Sequence, residues 1–477
     1  MGATVFVFYL LTLAPTVLYY APENYDSAHL QVVANVLGIP SYTGYPTYVM
    51  LAHLFTYLPV GDAAYRVNLA SAAFAALAVA ILYFLCRRVG AGKVGAVAGS
   101  LAFGLSVTFW SQAVISEVYT LHVLLTTLFL LALILWSRNR EERYLLLAAL
   151  TGGVAMTNHL TSVFLLPAAL VFVALVEARA LLRPKLWLKT VGLFLLGLTP
   201  YLYLPLRAAM DPPLVGAGPA GDPSTPGGFL DLVSGGEHKA RIFAFGPAEL
   251  PGRIGVYAGH LLDNLNPALL ALVLVGAVVL FKRDLASLVL LGLVFVLNLG
   301  YALEYDIEDL EIYFIPTYLM LCIVLAVGVD FILRRARGRY VGGFSAAPLV
   351  ASLVAALALV AVIVSVPGSY SQADRSEDYK GREIVEAVAN GTKPGSTVLY
   401  HGRSLHYMQL VEGRREDLKL VDPFYTADWV KRTESNLARG PVYVLYPGAT
   451  NTRLYKEAGY DLEPVEEGML YEVKRRR

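Results

Sequence analysis

Apolar residues along this chain come in stretches of roughly 17 to 22, long enough to cross a hydrocarbon core ~30 Å thick. Candidate spans run 4–20, 67–86, 94–109, 119–136, 144–158, 160–176, 187–205, 265–281, 285–303, 312–333 and 346–366, eleven in all. The third and fifth are short. Polar positions between them alternate in sign. Basic clusters fall at Arg87-Arg88 with Lys93, at Arg138, Arg140 and Arg143, and at Arg179, Arg183, Lys185 and Lys189. Two more are Lys282-Arg283 and Arg334-Arg335 with Arg337 and Arg339. The opposite ends carry Glu23 and Asp26, Glu117, Asp263, and the acidic run from Glu304 to Glu311. The positive-inside rule turns the acidic loops outward, with the N-terminus cytoplasmic and the C-terminus external. No basic flank or small-residue cleavage pattern marks residues 4–20, so they read as a retained span.

Two external segments are long. In 21–66 an apolar, aromatic stretch, Tyr45 to Leu58, is interrupted by Pro46 and His53 and reads as an interfacial helix. The segment 207–264 is rich in Gly and Pro, with little periodicity. After Pro367 the chain turns polar. A helical stretch at 379–390 is followed by strand-like runs at 396–400, 418–421 and 442–446. This alternation predicts a small external α/β domain, 367–477, with a largely parallel sheet. It has no phosphate-binding glycine loop, so no nucleotide is assigned to it. The sequon Asn390-Gly-Thr392 is a weak glycosylation signal.

Composition agrees with a polytopic helical membrane protein. The chain is 56% hydrophobic and 16% charged, against about 25% charged in soluble chains. Net charge is +1, so nothing points to nucleic acid. Cys86 and Cys322 both lie in apolar stretches and suggest neither a disulfide framework nor a metal cluster.

Chemistry is sought on the outer face. Asp26 stands just beyond the first span, among Tyr20, Tyr25, Tyr42, Tyr45 and Tyr48. A carboxylate held there, partly desolvated, is a better base near neutrality and can take a proton from a hydroxyl. Its plain alternative is a solvated loop acid. Glu117 is either a functional acid near the bilayer or a helix-terminus carboxylate. His159, in Asn158-His159-Leu, is a site residue or a hydrogen-bonded structural one. Arg207 closes an outward span in Tyr203-Leu-Pro-Leu-Arg207, as a snorkelling side chain or a clamp on a lipid phosphate. Arg66 has the same two readings. Asp306 and Asp309, in the acidic run, are solvated or help bind a divalent metal, Mg²⁺ or Mn²⁺.

The ordered motifs Asp26-Ser27, Leu37-Gly-Ile39, Gly44-Tyr45-Pro46, Leu58-Pro59, Arg66-Val-Asn68-Leu, Phe109-Trp110-Ser-Gln-Ala113, Glu117-Val-Tyr119, Asn158-His159, Tyr203-Leu-Pro-Leu-Arg207 and Gly221-Asp222-Pro223 resemble those of the protein O-mannosyltransferase-like family of GT-C membrane glycosyltransferases. A vertebrate member of that family mannosylates IPT domains of receptors. The resemblance implies a GT-C bundle of about eleven spans, 1–366, carrying the external domain. It implies a polyprenyl-phosphate sugar donor, with mannose or another hexose moved to an extracytoplasmic hydroxyl on a protein or glycan. Asp26 would be the base of an inverting transfer. Glu117, His159, Arg207, Tyr45 and Arg66 would bind the donor or substrate, with no cofactor beyond an optional metal. The expected location is the plasma membrane of a prokaryote, with the site outside. Relatives carry His-Pro-Pro or His-Pro-Thr before Gly-Tyr-Pro, where this chain has Ser41-Tyr42-Thr43, so sugar and acceptor stay open. The competing readings are a transporter or lipid flippase, and a non-catalytic scaffold.

Overall fold

The computed structural model describes residues 1–19, 26–214, 222–337, 356–423 and 428–476. Among these, seven helices are long and apolar enough to cross a membrane: Ala63–Val89, Tyr119–Asn139, Leu160–Leu182, Pro184–Ala208, Leu285–Leu303, Leu310–Arg335 and Ala356–Ala373. Two bent pairs, Lys93–Gly104 with Val107–Ala113 (66°) and Leu250–Asn264 with Pro267–Arg283 (102°), bring the number to nine if each is one span.

The difference from eleven has local causes. The stretch 4–20 forms a helix only over Gly2–Leu11. Pro15 lies four residues on; it lacks an N–H and disfavours a helical residue before it. Residues 13, 14, 17 and 18 are instead buried as an irregular strap, pinned by the Ala14 N–H on the Val114 carbonyl (3.0 Å). The stretch 144–158 is a 17-residue helix, Glu142–Asn158. The last expected span, 346–366, falls partly outside the described residues. The segment 207–264 holds more order than its composition suggested, with helices Pro226–Ser234 and Leu250–Asn264. The two bends are tied together: Asn264 accepts the Thr108 N–H (3.0 Å) and donates to the Thr108 hydroxyl (2.9 Å).

Close packing positions the spans. A Cβ added to Gly328 would lie 2.0 Å from the Leu272 carbonyl oxygen, and one on Gly276 would lie 2.0 Å from that of Val324. Small residues let helix backbones meet where lipid supplies no hydrophobic drive. The span Leu310–Arg335 is therefore central, 89% of its apolar window being buried; for Pro184–Ala208 the figure is 11%. The basic clusters gather at one end, where Arg138 pairs with Asp284 (2.5 Å), Arg183 with Glu177 (2.6 Å) and Arg334 with Asp330 (2.6 Å). The acid-bearing loops form the other.

The C-terminal domain carries a five-stranded sheet ordered β2-β1-β3-β5-β4. The strands are β1 (Thr397–Leu399), β2 (Lys419–Val421), β3 (Val442–Leu445), β4 (Tyr460–Glu466) and β5 (Leu470–Arg475). β1 runs parallel to β2 and β3, as expected; β5 is antiparallel to β3 and β4. The added hairpin escaped the sequence pattern because β4 is polar and bulged beside Pro464. The domain is docked on the acid-bearing end of the bundle. Arg382 donates to Asp62 (3.0 Å) and Glu412 (2.5 Å), the Tyr407 hydroxyl accepts the Ala64 N–H (3.1 Å), and Gly381 lies so close to the strap that a Cβ would reach 2.1 Å from the Val17 carbonyl.

Candidate active site

The site is built on the helix Ser27–Val36, the first helix of the segment expected to be external. Asp26 precedes it; its carbonyl accepts the Leu30 N–H (2.8 Å), while its side chain makes no capping bond. The carboxylate is exposed on one side and thus accessible. Protein packed behind it pushes its pKa up, and the charge of Arg403 pulls it back part of the way.

Next along, the Ser27 hydroxyl donates to Glu117 (3.1 Å), which is buried. The Glu117 backbone is fixed on both sides by the Ser71 hydroxyl, at 3.1 and 3.2 Å. Burial, then the charges of Asp26 and Asp309, hold the Glu117 carboxyl well above the usual range. Below lies a buried polar network. Gln31 donates to Asn68 (2.9 Å), Asn68 donates to the Ala14 carbonyl (3.0 Å), and Ser116 donates to Asn68 (2.5 Å). Buried polar groups need such partners, and here they lock the helix under Asp26 to the strap and to the Glu117 loop.

Asp309 opens the short turn Leu310–Phe314. Burial and the neighbouring Asp26 push it to about 7. Three acids from segments far apart in sequence thus share one field. Asp306, by contrast, is exposed, with its N–H on the Arg241 carbonyl (3.0 Å). Among the described residues no group of three or more His, Cys, Asp or Glu is arranged to hold a metal ion.

Aromatic rings form a wall beside the acids. Tyr45 stacks on His159 at 6.2 Å and 14°, and Tyr119 and Tyr313 approach the same imidazole at 5.2 and 6.0 Å. His159 bonds Thr161 through Nδ1 (2.7 Å), and burial lowers its pKa to about 4. It is neutral, and its ring packs as part of this wall.

The two arginines singled out from the sequence lie elsewhere. Arg207 donates to the carbonyls of Leu37 (2.6 Å) and Val36 (3.3 Å), which end the first external helix. Arg66 donates to the carbonyls of Val60, Thr56 and Gly61, tying the loop before the Ala63–Val89 helix. Both shape the frame that carries Asp26. Glu23, Tyr20, Tyr25 and Gly221 lie outside the described residues. Sequence reasoning missed Arg403 and His29. Arg403 sits in the loop after β1, at the carboxyl ends of parallel strands, where ligand sites of open sheets collect. That position was a usable signal.

Residues 26–181, about a third of the chain, match the family model described as the N-terminal domain of protein O-mannosyl-transferase TMEM260. Protein O-mannosyl-transferase TMEM260 of Mus musculus is 27% identical over 190 residues, 38% of this chain and 27% of the mouse protein's length. Among solved structures, ArnT from Cupriavidus metallidurans bound to undecaprenyl phosphate superposes with a TM-score of 0.62 at 13% identity, over 98% of this chain and 96% of ArnT. The fold is GT-C. The Archaeoglobus fulgidus oligosaccharyltransferase, in complex with zinc and sulfate, agrees at a TM-score of 0.57 and 14% identity, over 93% of this chain and 68% of that one. The resemblance read from the motifs is therefore shown, and with it a GT-C membrane architecture carrying a small C-terminal sheet.

Proposed function

We propose that the chain is a membrane glycosyltransferase. It moves a hexose, on the TMEM260 resemblance mannose, from a polyprenyl phosphate to a hydroxyl of an extracytoplasmic protein or glycan, with inversion. The observation that carries this reading is Asp26: an accessible carboxylate with a raised pKa at the acidic end of the bundle, in the segment that matches the O-mannosyl-transferase model. The structural relative bound to undecaprenyl phosphate supports the donor class.

In the step proposed, the acceptor oxygen forms a bond to the anomeric carbon while its proton passes to Asp26. The bond from that carbon to the phosphate oxygen breaks, and its electron pair leaves with the lipid phosphate. Glu117, whose carboxyl burial holds well above its usual range, accepts from Ser27 and thereby keeps Asp26 in place. The aromatic wall offers the sugar ring flat faces and hydroxyl donors. A metal is not needed to balance this step; if one binds, Asp309 and Asp26 are the acids that face each other.

The test is to incubate the purified protein with polyprenyl-phosphate mannose and Ser/Thr peptides, and to follow release of the lipid phosphate by mass spectrometry. Asp26→Asn should lower turnover by roughly 10²–10⁴-fold, the usual contribution of a general base, with donor binding retained. Turnover within a few-fold of the parent would remove Asp26 from the role.

A further inference from the structure

A departing phosphate needs a cation positioned in advance. Arg207 and Arg66 spend donors on backbone carbonyls, whereas Arg403, on the C-terminal domain, keeps Nε and Nη2 free of hydrogen bonds among the described residues. Arg403 precedes the helix Ser404–Leu410, which packs against the first external helix. Its side chain is only 14% exposed and is anchored through Nη1, which donates to Asp422 (2.9 Å) and to the Gly402 carbonyl (3.1 Å). Nε and Nη2 make no hydrogen bond among the described residues.

His29 faces Arg403 from the first external helix, one turn beyond Asp26. It is 5% exposed, and its Nε2 has no hydrogen-bond partner among the described residues. The hydroxyl of Ser404, next to Arg403, is buried and unpartnered as well. An orphaned buried polar atom costs about 1–3 kcal/mol. An anion beside Arg403 would give both of these groups, and the free donors of the guanidinium, a partner. Burial and the charges of Arg403 and His406 keep His29 neutral, so it can offer an N–H without adding charge.

We infer that Arg403 and His29, with Ser404, form the subsite that holds the phosphate of the lipid-linked donor, so that the C-terminal domain completes the active site. The inference rests on the donor reading above. Arg403 acts on Asp26 electrostatically, yet no ion pair within 4 Å joins them among the described residues. An inverting transfer places base and leaving group on opposite sides of the anomeric carbon. The phosphate cation must therefore lie near the base without touching it, as Arg403 does. Its planar fork suits a phosphate held by two parallel bonds.

The experiment measures binding of undecaprenyl phosphate to the full-length protein in nanodiscs, with inorganic phosphate as a competitor. No binding by the parent protein would defeat the donor reading itself. If the parent binds, Arg403→Gln should weaken affinity by roughly tenfold or more, and Arg403→Lys should recover part of it. His29→Phe, which keeps the ring but not the donor, should weaken it less. Inorganic phosphate should compete with the parent and lose that competition in Arg403→Gln, which separates a lost contact from a disturbed domain. Unchanged affinity in both Arg403→Gln and His29→Phe would overturn the subsite and leave the donor reading standing. So would a larger loss in Arg241→Gln, the exposed arginine beside Tyr305, than in Arg403→Gln.

Discussion

The two walls of the site are held together by different forces. The membrane wall uses shape and neutral hydrogen bonds: glycines against carbonyls, Ser27 on Glu117, and Gln31, Asn68 and Ser116 in one buried chain. The outer wall uses charge: Arg382 with Asp62 and Glu412, Arg414 with Glu386 (2.8 Å), and Arg403 with Asp422. Charge is expensive to bury and cheap to keep beside water.

Breaking the neutral chain should cost most. Asn68→Leu leaves Ser116 and the Ala14 carbonyl without their partner, at about 1–3 kcal/mol for each orphaned group, and takes one of two acceptors from Gln31. We expect a loss of about 3 kcal/mol or more in denaturant unfolding followed in detergent, with the charged wall untouched. Glu117 sharpens the contrast. Glu117→Gln reproduces the protonated acid and should keep both the Ser27 bond and most of the turnover. Glu117→Leu should lose about 1–3 kcal/mol of stability. A Glu117→Gln enzyme as inactive as Asp26→Asn would show that this acid must ionise.

The outer wall should yield more gently. Arg382→Ala removes ion pairs from a partly exposed site, where each is worth about 1 kcal/mol or less. The expected sign is faster protease release of the C-terminal domain, with the same effect reached in the parent at high salt. The smallest effect concerns pH. A base must be unprotonated, so activity rises as pH rises through the raised pKa of Asp26. The acid limb of kcat/KM should lie above the ordinary carboxylate range. Arg403 lowers that pKa. Arg403→Gln should move the limb further up; a limb that stays put would show that the two walls do not communicate.

Much of the membrane wall was legible along the chain. Spans announce themselves by apolar length, and Asp26 and Glu117 stand out because an acid at a span end is unusual company for so apolar a chain. The outer wall was legible only in outline. Strands β1 to β3 follow from their apolar runs, but Arg403 gains its meaning from His29 and Asp26, hundreds of residues away, and one sequence carries no trace of that approach. Arg207 and Arg66 kept two readings along the chain for a related reason. A guanidinium at a span end looks the same on paper whether it meets a phosphate or the carbonyls of a neighbouring helix. The bends at residues 104–107 and 264–267 were hidden because hydropathy reports how apolar a segment is and not where it turns.

The docking of the last domain on the first loop also sets a timetable. Asp26 leaves the ribosome early, and Arg403 follows roughly 380 residues later; at about 5–20 residues per second that gap lasts some 20–75 s. Through that interval Asp26 exists without the domain that packs on its helix. A chain that stalls or is cut short would display the base without the far wall. If that domain completes the site, nascent copies stay silent until Arg403 has been translated.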